Sequence, residues 1–203
     1  MSKLYAGIGS RETPPDVLEL MTALAKTLRE EGWTLRSGHA MGADWAFEQG
    51  AEKDSLIYLP WKDFGTKPYK NDPGRPILGH PICDDDAAEE GYAYLVRLGI
   101  RNPDNRDSMR RLHGRNVAQV MGLPGEKLSS MVVCWCPIEL GIPTGGTATA
   151  IKLAEHHKIP VFNLIDPAIR KRIERKIEAY EPGSCTDCGE NFIGTHSCPG
   201  RPS

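Results

Sequence analysis

Apolar residues fall into short dense runs, and between the runs they recur at every third or fourth position. The first run, "KLYAGIG" over 3–9, has the length of a strand buried on both faces. Behind it Val17, Leu20, Met21, Leu24 and Leu28 repeat at helical spacing. That predicts a helix with Thr13 as its N-cap, Pro14 and Pro15 in its first turn and Gly32 as its stop. "WTLRSG" predicts a second strand, residues 42–52 a second helix and "SLIYLP" a third strand. Residues 61–104 break the rhythm with proline, glycine and charge. Only "AAEEGYAYLVRLG" looks helical there, and the stretch reads as an insertion. A helix from about 106 to 121 leads into "MVVCWCPI", apolar on both faces as a central parallel strand is. "PTGGTATAIKLAEHH" predicts a glycine-rich turn entering a helix, and "IPVFNL" another strand. A last helix over 167–180 places Ile169, Ile173, Ile177 and Tyr180 on one side. This alternation predicts an α/β fold, a doubly wound and mostly parallel sheet with helices on both faces.

Composition narrows the function classes. A length of 203 residues suits one domain with a small appendage, and a net charge of −2 gives no whole-molecule field toward nucleic acid or anionic lipid. No apolar run approaches the roughly 20 residues that span a bilayer, and the start of the chain has no signal-peptide pattern. A cytoplasmic protein without a membrane partner is expected. Six cysteines in a reducing compartment then argue against a disulfide framework and call for another explanation.

Three glycine-rich turns stand at predicted strand ends: Gly7, Gly9, Ser10 and Arg11; Ser37, Gly38, His39, Gly42 and Asp44; and Gly145, Gly146, Thr147 and Thr149. Each turn alone is ordinary punctuation. Together, in an open parallel sheet, they line the crevice at the carboxyl ends of the strands, where helix starts offer unpaired N–H groups to a phosphate. Gly38 and Gly42 would let the second turn pass close to a ligand, and Ser37 and His39 could donate to it. Asp44 would cap N–H groups or accept from a sugar hydroxyl. The first turn lacks the third glycine of the dinucleotide fingerprint and no acidic residue ends the second strand, so neither nicotinamide nor flavin is expected. The phosphate loop of nucleotide triphosphatases is also missing.

"YAGIGSR", "SGHAMGADWAFEQGA", the pair Arg115-Asn116 and "GGTATAIKLAEHHKIPVFNL" occur in an order that resembles the Rossmann-like domain of the DNA-processing protein A (DprA/Smf) group. The likeness covers about 3–165 and looks closest to small DprA-like proteins carried by phages. It implies a Rossmann-like domain over 1–166, a phosphate-binding crevice that includes Arg115 and Asn116, and a homodimer or higher homo-oligomer. It also implies a nucleotide or single-stranded nucleic acid as partner. The wider superfamily includes the Lonely Guy phosphoribohydrolases, whose motif P-G-G-x-G-T-x-x-E carries a catalytic glutamate. Gly145, Gly146 and Thr149 match that motif, but Lys152 stands at the glutamate position and Ala148 at the third glycine. Lysine cannot replace a carboxylate that stabilises an oxocarbenium-like centre. Binding is therefore favoured over hydrolysis. The alternatives are an N-glycosidic hydrolase or transferase using Arg115 with a displaced carboxylate, Glu155 or Glu48, and a protein that captures a signalling nucleotide unchanged.

Beyond a helix at 167–182, the tail over 183–203 holds Cys185, Cys188, His196 and Cys198 in the spacing C-x2-C-x7-H-x-C. Thiolate and imidazole are the ligands of tetrahedral zinc, and four protein ligands would make the zinc structural. Cys134 and Cys136 fall in a core run and read as small buried hydrophobes, whereas Asp84, Asp85 and Asp86 beside Cys83 suit a helix start. Arg170, Lys171, Arg172, Arg175 and Lys176 form either a solvated helix face or a nucleic-acid contact.

Overall fold

The computed structural model describes residues 3–180 together with 183–184 and 191–192. Six strands form one parallel sheet: β1 (Lys3–Gly9), β2 (Trp33–Ser37), β3 (Ser55–Tyr58), β4 (His80–Ile82), β5 (Val132–Trp135) and β8 (Val161–Asn163). Their spatial order is β4-β3-β2-β1-β5-β8, with Ala6 beside Arg36 on one side of β1 and beside Val132 on the other. The chain builds outward from β1 in one direction and then, through β5, in the other. The sheet's switch point therefore lies between β1 and β5.

Strand alternation divides the core. Tyr5, Leu35 and Val133 point to a layer with Met21, Leu28 and Phe47, from α1 (Pro15–Glu30) and α2 (Ala43–Ala51). Ala6, Ile8, Val132 and Cys134 point to the opposite layer. That layer is covered by α3 (Asp85–Arg97), α4 (Asp107–Met121) and α5 (Thr147–His156). Because β1 feeds both layers, its sequence is apolar from Leu4 to Gly9. Cys134 and Cys136 are fully buried in the second layer, and burial pushes the Cys134 thiol up. Asp84 caps α3 by accepting from the Ala87 N–H at 2.9 Å, which accounts for the acidic run.

Two expectations need correction. Thr13 is not the cap of α1: Pro14 occupies that place, and the Thr13 hydroxyl donates to the Ser10 carbonyl at 2.7 Å. With Pro15 opening the helix, one of the donors that a cap would satisfy is missing. The stretch 61–104 is not all insertion, since His80–Ile82 adds β4 to the sheet edge and α3 buries Ala88, Tyr92 and Leu95 against α4. Three residues with a central proline give no strand signal, although a sheet edge accepts proline. The nonrepetitive part is 59–79. A small hairpin, β6 (Ile138–Glu139) with β7 (Ile142–Pro143), follows β5 unannounced.

The last helix, α6 (Pro167–Glu178), buries Ile173 and packs on α1. Two of its cations meet α1 or its C-cap residue, Arg170 pairing with Asp16 at 3.4 Å and Lys176 with Glu31. These two positions belong to a packed, solvated face. Beyond it, β9 (Gly183–Ser184) and β10 (Asn191–Phe192) pair antiparallel. Cys185, Cys188, His196 and Cys198 lie outside the described residues. Among the described residues no cluster of three or more metal-ligating side chains occurs, and no helix is long and apolar enough to cross a membrane.

Candidate functional site

A cleft of about 520 Å³ opens at the carboxyl ends of β1 and β5. Ser10, Arg11, Arg115, Asn116, Gly145 and Gly146 are among its lining residues. The three glycine turns do not contribute equally to it.

In the first turn the amides are spent inside the protein. The Gly9 N–H donates to the Asp44 carboxylate at 3.2 Å and the Ser10 N–H to the Trp135 carbonyl at 3.1 Å. A Cβ on Gly7 would meet the Phe47 ring at 2.6 Å, and one on Gly9 would meet the Ala43 Cβ at 2.5 Å. These glycines admit α2 against β1. Of this turn, Arg11 is left exposed to the cleft.

The second turn corrects the expectation most sharply. Ser37 and His39 are fully buried; the Ser37 hydroxyl donates to the Gly7 carbonyl at 2.7 Å, and His39 Nδ1 donates to Glu48 at 2.6 Å. Neither has a polar atom free for a ligand. Gly42 sits at φ 90° with the place of its Cβ 2.8 Å from Arg11 Cα, and a Cβ on Gly38 would overlap the Arg115 guanidinium. Both glycines make room for protein atoms, not for a phosphate. The Ala43 N–H also faces the Ser10 carbonyl at 3.4 Å, so neighbouring backbone already covers the start of α2.

The third turn is open. Gly145 takes φ 76°, Gly146 precedes α5 without a side-chain cap, and a Cβ at either position would meet nothing within 4 Å. The first N–H groups of α5, which any helix leaves unpaired, begin here at the cleft. Asn116 reaches the same turn and donates to the Gly146 carbonyl at 3.4 Å. Thr147 lines the cleft, while Thr149 is buried against His113 at 3.2 Å.

Arg115 is not a solvated helix arginine. It is 7% exposed, its Nη1 donates to Asp44 at 3.2 Å, and its guanidinium lies over the Phe64 ring at 5.7 Å. With the Gln119 amide turned to satisfy its neighbours, the Gln119 oxygen accepts from Arg115 Nη1 at 3.0 Å and from the Gly38 N–H at 2.9 Å. Burial raises the Asp44 carboxyl above its ordinary range, while the guanidinium and the Gly9 and Ala40 N–H groups pull it back. Arg115 Nε is buried without a partner, and Nη2 makes no hydrogen bond among the described residues. The cleft thus contains a cation fixed from behind and incompletely used.

The carboxylates named for hydrolysis are placed elsewhere. Glu48 is fully buried, one oxygen on His39 and the other accepting from the Leu78 N–H at 2.7 Å. Glu155 is exposed on α5 and does not line the cleft. Glu12 and Glu139 do line it, as does His113, and none of the three had a motif to mark it. Gln119, Phe64 and Arg75 were equally silent in the sequence.

Burial, with the Arg101 and Arg115 charges, lowers His113 from 6.5 to about 4. It is neutral at pH 7. Between about pH 6.5 and 4 the unfolded chain takes up this proton and the folded chain does not, so stability falls as pH falls through that window. A His113→Asn variant should lose less of its urea midpoint between pH 7 and pH 4.5 than the parent. Equal losses in the two proteins would contradict this assignment.

No protein-family model and no curated protein sequence matches the chain. Solved structures do. A DNA processing protein A from Streptococcus pneumoniae is 14% identical with a TM-score of 0.53, over 88% of this chain and 56% of that one. DNA processing protein A from Helicobacter pylori, described for its single-stranded DNA binding mode, is 16% identical with a TM-score of 0.51, over 89% and 82%. The molybdenum cofactor carrier protein of Chlamydomonas is 16% identical over 88% of this chain and 86% of that one, at a TM-score of 0.48. What the DNA processing proteins share with this chain is a Rossmann-like α/β fold.

Proposed function

We propose that the cleft binds a phosphate group carried by a nucleotide, free or within single-stranded nucleic acid, and does not cleave it. The observation that carries this reading is the uncapped, unobstructed start of α5 at Gly145–Gly146 in the same cleft as the fixed Arg115 guanidinium. Helix dipole and guanidinium both favour an anion there, and Arg115 suits phosphate through its forked donors. Arg11 and Asn116 stand at the rim to add contacts. The likeness in fold to proteins that process DNA supports the nucleic-acid form of the ligand by analogy. We propose as well, on donor chemistry alone, that Cys185, Cys188, His196 and Cys198 hold a structural zinc ion.

Gly146→Val tests the cleft cleanly. The position has φ −66° and ψ −35°, open to any residue, with nothing within 4 Å, so the fold should be kept. Calorimetric titration should find that nucleoside 5′-monophosphates bind and the parent nucleosides do not. The valine should weaken nucleotide binding by at least about tenfold, the scale of a charge-assisted hydrogen bond. Equal binding of nucleosides and nucleotides, or a folded variant that binds like the parent, would refute the proposal.

A further inference from the structure

The nonrepetitive loop between β3 and β4 carries chemistry that the cleft does not use. A second groove, of about 860 Å³, runs along it and shares Arg11 and Leu112 with the cleft. Two aromatic side chains stand in this groove where a core would not place them: Trp61 is 36% exposed and Tyr69 71% exposed. Lys62, Lys67 and Lys70 interleave with them, and the Lys70 ammonium lies 5.4 Å from the Tyr69 ring centroid. Lys67 pairs with Asp63 at 3.1 Å, whereas Lys62 and Lys70 have no ion pair among the described residues. In a chain of net charge −2 this is a local cationic stretch.

The loop is held rigidly. Tyr69 and Asp72 exchange backbone hydrogen bonds of 2.9 and 3.0 Å. Asp72 also accepts from Arg75, and buried Arg75 donates to the His39 carbonyl at 3.0 Å and lies over Trp45 at 5.5 Å. From the groove inward the rings form a line: Trp61 meets Phe64 edge-on at 5.1 Å, and Phe64 carries the Arg115 guanidinium of the cleft.

We propose that residues 61–70 form a stacking track for single-stranded nucleic acid, with Trp61 and Tyr69 as platforms for successive bases and Lys62 and Lys70 following the backbone phosphates. Exposed rings on a fixed frame stack bases with little ordering cost, and lysines between them match the charge of a polyanion. The track leads into the cleft through Arg11, and it rests on the cleft reading above for where a phosphate of that strand enters. Two stacking platforms in addition to a phosphate site call for several bases on one backbone, so the track assigns the ligand as a strand.

Fluorescence anisotropy with labelled (dT)20 and (U)20, run beside mononucleotide titration, tests this. Trp61→Ala and Tyr69→Ala should each weaken binding of the oligonucleotides about tenfold, with Trp61→Phe and Tyr69→Phe close to the parent, and should leave mononucleotide binding unchanged. Lys62→Ala and Lys70→Ala should reduce the salt dependence by about one counterion each. If the oligonucleotides bind no tighter than mononucleotides, or bind equally well to the alanine variants, the track is refuted while the cleft stands. If neither probe binds, both readings fall. If Tyr69→Ala instead abolishes concentration-dependent self-association in a protein that ignores both oligonucleotides, the face belongs to a second copy and the proposal is overturned.

Discussion

Asp44→Ala should cost about 3–5 kcal/mol of folding stability, the range for removing one partner of a buried ion pair. Asp44 is 4% exposed and joins three chain segments. Its carboxylate accepts from the Gly9 N–H after β1, from the Ala40 N–H after β2, and from Arg115 on α4. Alanine would leave the guanidinium buried with its charge uncompensated and two amides without their acceptor. The urea midpoint measures the loss. Adding Arg115→Met to Asp44→Ala should recover part of it, because the stranded cation is then gone. A single variant within about 1 kcal/mol of the parent would show that the pair is not structural. The same reasoning governs how Arg115 can be used in binding studies: its removal strands Asp44, so lost binding in Arg115→Ala mixes lost contact with a displaced loop. Gly146, open on all sides, carries no such ambiguity.

The layered architecture was legible because β1, β3 and β5 are largely apolar runs of strand length, β2 places Trp33 and Leu35 in alternation, and α1 repeats at helical spacing, signals that are local in the chain. β4 was not legible. Its three residues, His80–Ile82, become a strand through pairing with β3, a tertiary effect that leaves no local trace. The site divides in the same way. Glycine marks close approach, and the turns were found by it; the chain alone does not record what approaches. At Gly7 it is Phe47, at Gly38 Arg115 and at Gly42 the backbone of Arg11; at Gly145 and Gly146 it is open space. Thus one turn in three is left open, where composition led to that expectation for all three. Serine and histidine in a loop suggested donors to a ligand, yet Ser37 and His39 are sealed in by the segments that pack over them. Arg75, Phe64 and Gln119 stood in no motif because their partners, His39, Arg115 and Gly38, are 36, 51 and 81 positions away in the chain.

Glu48→Ala should be nearly as damaging as the loss of Asp44, and its effect should be concentrated in a different place. Glu48 is fully buried on α2, with one oxygen 2.6 Å from His39 Nδ1 and the other 2.7 Å from the Leu78 N–H at the end of the loop that carries Trp61 and Tyr69. His39 in turn sits at φ 60°, with its Nε2 3.4 Å from the Arg75 carbonyl, and its own carbonyl accepts from Arg75. One carboxylate therefore fastens both the β2–α2 turn and the far end of the 59–79 loop to α2. Alanine leaves a buried imidazole N–H unpaired, worth about 1–3 kcal/mol, takes the acceptor from the half-buried Leu78 amide, and opens a cavity in addition. Glu48→Gln keeps the volume and one acceptor oxygen and should lose less. Hydrogen exchange locates the damage: amides over 62–78 should open well before those of β1 and β5 in Glu48→Ala, since the loop loses its anchor while the sheet keeps its own. Uniform exchange across loop and sheet, or full protection retained at Leu78, would show that Glu48 does not tether the loop. The histidine that looked like a ligand contact would then need another reason to be buried beside a carboxylate.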